Sequence, residues 1–166
     1  MVEGDGSPTS CTDSKQPFVI QGIELGLGMY EVLGNVLIQY TGSGTVVWVN
    51  PDTKNEKSGG MPDSALNAGA FPGPTGEGWN YGLYPKTFHG LMMQQGTGAS
   101  TSVGICDGNY KVADTTVGWR EWLSLGGLWD GGNAGLWFVD GGNGTGGSWW
   151  NFGSRRSANG RSRGEA

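Results

Sequence analysis

The chain has 166 residues, a formal net charge of −5 and 34 glycines. This length predicts one compact domain. Eight Trp, five Tyr and five Phe provide apolar mass that disordered chains lack, and the glycines show no G-X-Y period, which excludes disorder and a collagen helix. The acidic balance disfavours a nucleic-acid ligand. No apolar run approaches the ~18 residues of a membrane span, so no membrane insertion is predicted.

The N-terminal part of the sequence predicts a flexible arm followed by strands. Residues 1–16 are polar without periodicity and predict a flexible arm, which leaves residues 17–166 as a single domain. Apolar residues alternate over 17–40 with a break at 26–28, which predicts strand, turn and strand; a short helix over 30–37 stays open as an alternative. A turn at 42–44 and the β-branched run Thr45–Val49 then predict a third strand.

The middle of the chain carries few secondary-structure signals. Prolines, glycines and charges over 50–82 predict a loop with one helical turn at 63–68, which Asp63 or Ser64 would cap. Short segments punctuated by glycine follow over 84–117, and Asp107-Gly108-Asn109 is typical of a tight turn.

The small numbers of cysteine and histidine residues limit the disulfide, metal and catalytic sites that this chain can form. Cys11 and Cys106 are too few for a disulfide scaffold and lack the spacing of a zinc or redox motif, although one bridge between them stays open. His89 is the single histidine, so a histidine metal cluster is excluded and nucleophilic catalysis has one candidate base. We therefore predict a protein that is not an enzyme, with no cofactor and no metal.

The C-terminal third is rich in glycine and tryptophan. Such a segment has little intrinsic secondary-structure preference and must be shaped by the packing of its aromatic side chains, among which we expect Trp137 in the core. Its motifs are Gly126-Gly127 followed by Trp129, then 133–136 (NAGL), then 151–155 (NFGSR).

These motifs resemble the C-terminal part of the C-type lectin fold in its formylglycine-generating-enzyme-like branch. More narrowly, residues 107–163 are similar to the variable ligand-binding proteins of diversity-generating retroelements, which include phage tropism determinants. The resemblance implies an α+β fold, C-type-lectin-like, with a small twisted antiparallel sheet, one or two short helices and long ordered loops.

The resemblance also implies a function. Calcium-type lectin triplets are absent and no cysteine follows Cys106, so neither sugar-chelating calcium nor the oxidase chemistry of the branch is expected. The implied function is non-enzymatic recognition of a host surface protein or a glycan, on a phage tail in the virion or on a bacterial cell surface. A homotrimer stays open. The alternative from another class is a structural virion component, a tail-tip or decoration protein.

The candidate ligand-binding residues lie in a variable region at about 126–156. In retroelement systems, adenine mutagenesis of asparagine codons yields Asp, Gly, Ser and Thr, and many small residues here are reachable in that way. Exposed aromatic side chains among them would act as anchors. The candidate residues are Trp129, Asp130, Gly131, Gly132, Asp140, Gly142, Asn143, Gly147, Ser148, Trp149, Trp150, Phe152 and Ser154.

Overall fold

The structure is a computed structural model. It describes residues 18–20, 23–25, 30–51, 60–96, 98–100, 102–125, 130, 133, 135–146 and 152–153. The predicted N-terminal arm lies outside these residues, so the division into an arm and a single domain stays a prediction.

The described residues form twelve β-strands. Their bounds are β1 Phe18–Ile20, β2 Ile23–Leu25, β3 Tyr30–Thr41, β4 Thr45–Val49, β5 Leu66–Gly69, β6 Gly78–Asn80, β7 Tyr84–Phe88, β8 Leu91–Gln95, β9 Asn109–Lys111, β10 Val117–Leu125, β11 Gly135–Asp140 and β12 Phe152–Gly153. The main sheet has the order β5-β4-β3-β10-β11-β9-β6, and β12 pairs with β3. The hairpins β1–β2 and β7–β8 stand beside it.

Strands β3 and β10 are paired in the middle of the main sheet. They run antiparallel from Val117 opposite Thr41 to Ser124 opposite Glu31, with a register shift between Glu121 and Leu123. On its other side β3 pairs with β4. Two pairs are parallel, namely β11 with β9 and β12 with β3. The sheet is therefore mixed, with long-range pairing at its centre.

Strand alternation separates two faces of the sheet. One face carries the main core, in which Ile38 and Val47 are fully buried and the ring of Phe71 packs edge-on against Trp122. The opposite face carries a smaller core, in which Phe138 and Leu123 are fully buried together with Tyr30. Because neighbouring residues of a strand point to opposite faces, β11 contributes Val139 to the first core and Phe138 to the second.

The α+β expectation is wrong. The described part of the chain contains no α-helix. A mixed sheet of eight strands, in which β12 pairs with β3 beside the path of the other seven, replaces the small antiparallel sheet with helices that the resemblance implied. The helical alternative over 30–37 is strand β3, whose pairing with both β4 and β10 satisfies its backbone groups. The predicted helical turn at 63–68 is a hydrogen-bonded turn from Pro62 to Ala65 followed by β5.

Of three other predictions for the first half of the chain, two are confirmed and one is wrong in part. The strand at Thr45–Val49 is confirmed as β4, with the alternating burial of a strand that covers a core on one side. The turn before it is confirmed by hydrogen bonds from the Thr41 amide and hydroxyl groups to the Gly44 carbonyl. The loop predicted over 50–82 is wrong in part, because it contains β5 and β6.

Candidate functional site

The last residue of β11 and the segment after it, residues 140–146, are hereafter the β11 turn. Its backbone is fixed to three neighbouring strands. The Gly141 amide donates to the Tyr110 carbonyl at 2.9 Å and the Glu121 amide donates to the Asn143 carbonyl at 2.9 Å. The buried Tyr40 hydroxyl donates to the Gly141 carbonyl at 3.2 Å. These bonds tie the backbone of the turn to β9, β10 and β3.

Asp140 organises the turn from within. Its carboxylate accepts hydrogen bonds from the Gly142 amide at 2.6 Å and from the Asn143 side-chain amide at 3.2 Å. Burial, with a smaller contribution from the negative charge of Asp130, raises the pKa of Asp140 to about 6, although the two hydrogen bonds act to lower it. Asp140 is thus an anchor of the turn, and its carboxylate is directed toward the turn's own donors.

The structure therefore brings together four of the predicted site residues. Asp140, Gly142 and Asn143 form one hydrogen-bonded unit, and Asp130 lies close enough for its charge to act on Asp140. Phe152 is described by its backbone alone, which pairs with Tyr30 of β3. The other predicted residues lie outside the described residues: Trp129, Gly131, Gly132, Gly147, Ser148, Trp149, Trp150 and Ser154.

The glycines of the β11 turn differ in the space around them. A Cβ atom at Gly141 would lie 2.7 Å from the Ile38 Cδ1 atom and 3.2 Å from the Phe71 ring, inside the main core. A Cβ atom at Gly144 would meet only the end of the Arg120 side chain, at 3.0 Å, and one at Gly146 would meet nothing within 4 Å. The start of the turn is therefore part of the core, whereas its far end has room for side chains.

We expect Gly141→Ala to lower the free energy of unfolding by about 1–3 kcal/mol because the added methyl group overpacks the core. Gly146→Ala is the matched control and should change it by less than about 0.5 kcal/mol. Urea denaturation of both variants measures the difference. Equal effects at the two positions would contradict the division of the turn into a core part and an open part.

Tyr110, Glu77 and Trp79 border the turn and were missed from sequence. The Tyr110 hydroxyl donates a hydrogen bond to the Glu77 carboxylate, and this bond, together with burial, raises the pKa of Tyr110 to about 12. The Trp79 indole, 36% exposed, packs edge-on against the Tyr110 ring at 5.2 Å. Glu77 and Tyr110 lie 33 positions apart in the chain, and no motif links them.

A second network holds the start of β11. The Asp107 carboxylate accepts a hydrogen bond from the Trp137 amide at 2.7 Å. The buried Gln94 side-chain amide donates to the Asp107 carbonyl at 2.9 Å and to the Trp137 carbonyl at 2.8 Å, and it accepts from the Gly82 amide at 2.8 Å. Burial raises the pKa of Asp107, and the bond from Trp137 opposes this. Asp107 and Gln94 act as structural ties of β11.

The candidate catalytic base, His89, and the candidate disulfide residue Cys106 do not belong to this site. His89 is exposed in the β7–β8 turn, where it and Gly90 have positive φ angles of 49° and 84°, as a type I′ turn requires. Cys106 is an exposed free thiol. Within the described ranges, no group of three or more His, Cys, Asp or Glu residues is arranged to hold a metal ion, and no helix there is long and apolar enough to cross a bilayer.

Comparisons with protein-family models, with curated protein sequences and with solved structures find no match for this chain.

Proposed function

We propose that this protein is a non-enzymatic recognition protein whose ligand surface includes the far end of the β11 turn. The proposal rests on one observation: the residues that fix the path of the turn are not the positions at which its side chains can vary. Backbone bonds to Tyr110, Glu121 and Tyr40 and the Asp140 anchor fix the path of the turn. Side chains at Gly144 and Gly146 can vary without entering the core. A loop of this kind loses little conformational entropy when it binds.

The sequence resemblance extends the proposal to the ligand and the setting. The ligand is a host surface protein or a glycan, and the protein is displayed on a phage tail or on a bacterial cell surface. The variable region at about 126–156 is diversified by a retroelement, so that binding specificity changes while the fold is kept. Support for this extension comes from the small residues of the region and from the room at the far end of the turn.

The nucleotide sequence around the gene tests the origin of the surface. Retroelement diversification predicts a nearby second copy of the segment that encodes residues 126–156, which differs from the gene at adenines of the copy, together with a reverse-transcriptase gene. A locus without such a copy would contradict diversification and leave a binding surface of fixed specificity.

A paired library tests the surface itself. We expect that randomising Gly144 and Gly146 leaves most clones folded and within a few degrees of the parent melting temperature, because a side chain at either position lies outside the core. The control library randomises Gly141 and Val139, which are buried, and should yield few folded clones. Proteolysis of the displayed libraries counts the folded fraction. A turn library that unfolds as often as the control would contradict the proposal.

A further inference from the structure

Arg120 belongs to β10, an inner strand of the main sheet, and its side chain points to the face that carries the main core. In the strand register it lies opposite Ile38, which is fully buried. The next residue of β10 on this face is Trp122, a member of the main core. A charged side chain at such a position is normally paired with an opposite charge.

The guanidinium group of Arg120 has no partner in the part of the chain that the structure describes. Its Nε atom is buried and donates no hydrogen bond. The Nη1 and Nη2 atoms form no hydrogen bond or ion pair either, yet they are not among the buried atoms, so the outer end of the group is open to solvent. The arginine therefore presents two free donor nitrogens next to the core.

The carboxylates of this region are already engaged. The charges of Arg120, Asp114 and Asp140 all act on the pKa of the buried Tyr40 hydroxyl group, which places the three side chains in one region. Asp114 forms an ion pair with Lys111 at 2.7 Å. Asp140 accepts the two hydrogen bonds that hold the β11 turn. Neither carboxylate lies within ion-pair distance of Arg120.

The far end of the β11 turn lies beside this arginine. Gly144 pairs with Arg120 in an antiparallel bridge. The adjacent hydrogen bond joins the Glu121 amide to the Asn143 carbonyl, so the two residues of the bridge are a non-hydrogen-bonded pair, in which side chains are closest. A Cβ atom at Gly144 would meet only Arg120 Nη1, at 3.0 Å. The guanidinium group thus lies next to the empty side-chain position of Gly144.

The backbone of Gly144 is also unpaired. In a non-hydrogen-bonded pair the N–H and C=O groups point away from the partner strand, and neither group of Gly144 forms a hydrogen bond with the described residues. Backbone groups of this kind can pair with the main chain of an extended peptide. A peptide residue opposite Gly144 would direct its side chain to the same face as Arg120, with no glycine side chain between them.

We propose that Arg120 binds the carboxylate of an acidic residue in an extended peptide segment of the ligand, which pairs with the Gly144 backbone. This inference rests on the proposed function, because it names the group that the far end of the β11 turn takes. The Nη1 and Nη2 atoms match the two oxygens of a carboxylate. A single carboxylate fits better than a polyanion, which Asp114, Asp140 and the net charge of −5 would repel.

An array of nonapeptides with random flanks and a central Glu, Asp, Gln or Lys tests the proposal. We expect the parent to bind peptides with a central Glu or Asp about tenfold more strongly than their Gln counterparts, because only the carboxylate pairs with the guanidinium group. Arg120→Gln should remove this preference. Lys86→Gln is the matched control, since it removes one positive charge at an exposed position of β7, and it should bind as the parent does.

Gly144→Asp supplies the carboxylate from within the chain. Gly144 does not have a positive φ angle, so its backbone accepts a side chain. The variant should bind the acidic peptides about tenfold more weakly than the parent, because its own carboxylate occupies Arg120. Gly146→Asp adds the same charge at a position where a Cβ atom meets nothing within 4 Å, and it should keep the preference for acidic peptides.

Thermal denaturation checks that each variant is folded, and Gly144→Asp keeps the test valid if Arg120→Gln does not fold. Equal binding of the Glu and Gln peptides by the parent would overturn the proposal, as would an unchanged preference in Arg120→Gln or Gly144→Asp. Binding of 3′-sialyllactose that depends on Arg120, without binding of acidic peptides, would assign the arginine to an acidic glycan instead and also overturn it. The paired library that tests the β11 turn does not depend on any of these results.

Discussion

Replacing Phe138 with alanine is expected to lower the free energy of unfolding by about 3–5 kcal/mol, the usual cost of truncating a buried aromatic residue. Phe138 is fully buried, stacks on Tyr30 with ring centroids 5.9 Å apart, and meets the tilted Trp79 ring at 5.7 Å. Its removal leaves a cavity between β3, β6 and β11. Urea denaturation, with circular dichroism as the signal, measures the loss.

Trp137→Ala is the control for this prediction. Trp137 is half-buried, and its backbone forms hydrogen bonds with Asp107 and Gln94, which truncation of the side chain keeps. It should therefore cost less than half as much as Phe138→Ala. A larger loss for Trp137→Ala would contradict the assignment of Phe138 as the residue of β11 that fills the smaller core.

The second large effect concerns Asp140 and pH. The pKa of its carboxyl group rises from 3.8 to about 6 on folding because the group is buried. Between these two values the unfolded chain has already released the proton that the folded chain still holds, so stability falls as the pH rises through this window. The difference amounts to about 3 kcal/mol at most between pH 3.8 and pH 7.

Asp140→Asn removes this titration. The variant should lose stability less steeply than the parent from pH 4 to pH 7, and should gain on the parent most at pH 7. A remaining slope of the same sign is expected, because burial also raises the pKa of Asp107 and Glu121. Asp63→Asn, in an exposed turn, removes one negative charge and is the matched control. Parallel curves for the parent and Asp140→Asn would contradict the buried position of this carboxylate.

How far the sequence predicts the fold depends on the strand. The run Thr45–Val49 alternates and is β-branched, so β4 is evident without a structure. In β3 the same apolar residues fit a strand or a short helix, and its two neighbouring strands decide the outcome. Strands β5 and β6 have four and three residues with little apolar content, and they exist because β4 and β9 offer them pairing partners. Local propensity carries no information of that kind.

The candidate site shows the same limit. Asp140, Gly142 and Asn143 are close in sequence, and the asparagine-codon argument groups them as candidate surface residues without a structure. The structure alone shows that the Asp140 carboxylate anchors the turn. Trp137 and Phe138 are adjacent aromatic residues, of which a strand directs one to each face. The sequence led us to expect Trp137 in the core, but Phe138 is the one that is fully buried, whereas Trp137 is half-buried.

The pairing of β3 with β10 has a consequence for synthesis of the chain. Ser124 bonds to the Glu31 carbonyl, 93 positions earlier. At about 5–20 residues per second, β3 leaves the ribosome roughly 5–20 s before β10 exists to pair with it. The hairpin β3–β4 can form at once, but its other edge then presents twelve residues of unpaired backbone to other nascent chains. Misassembly of this protein during translation should therefore begin at that edge.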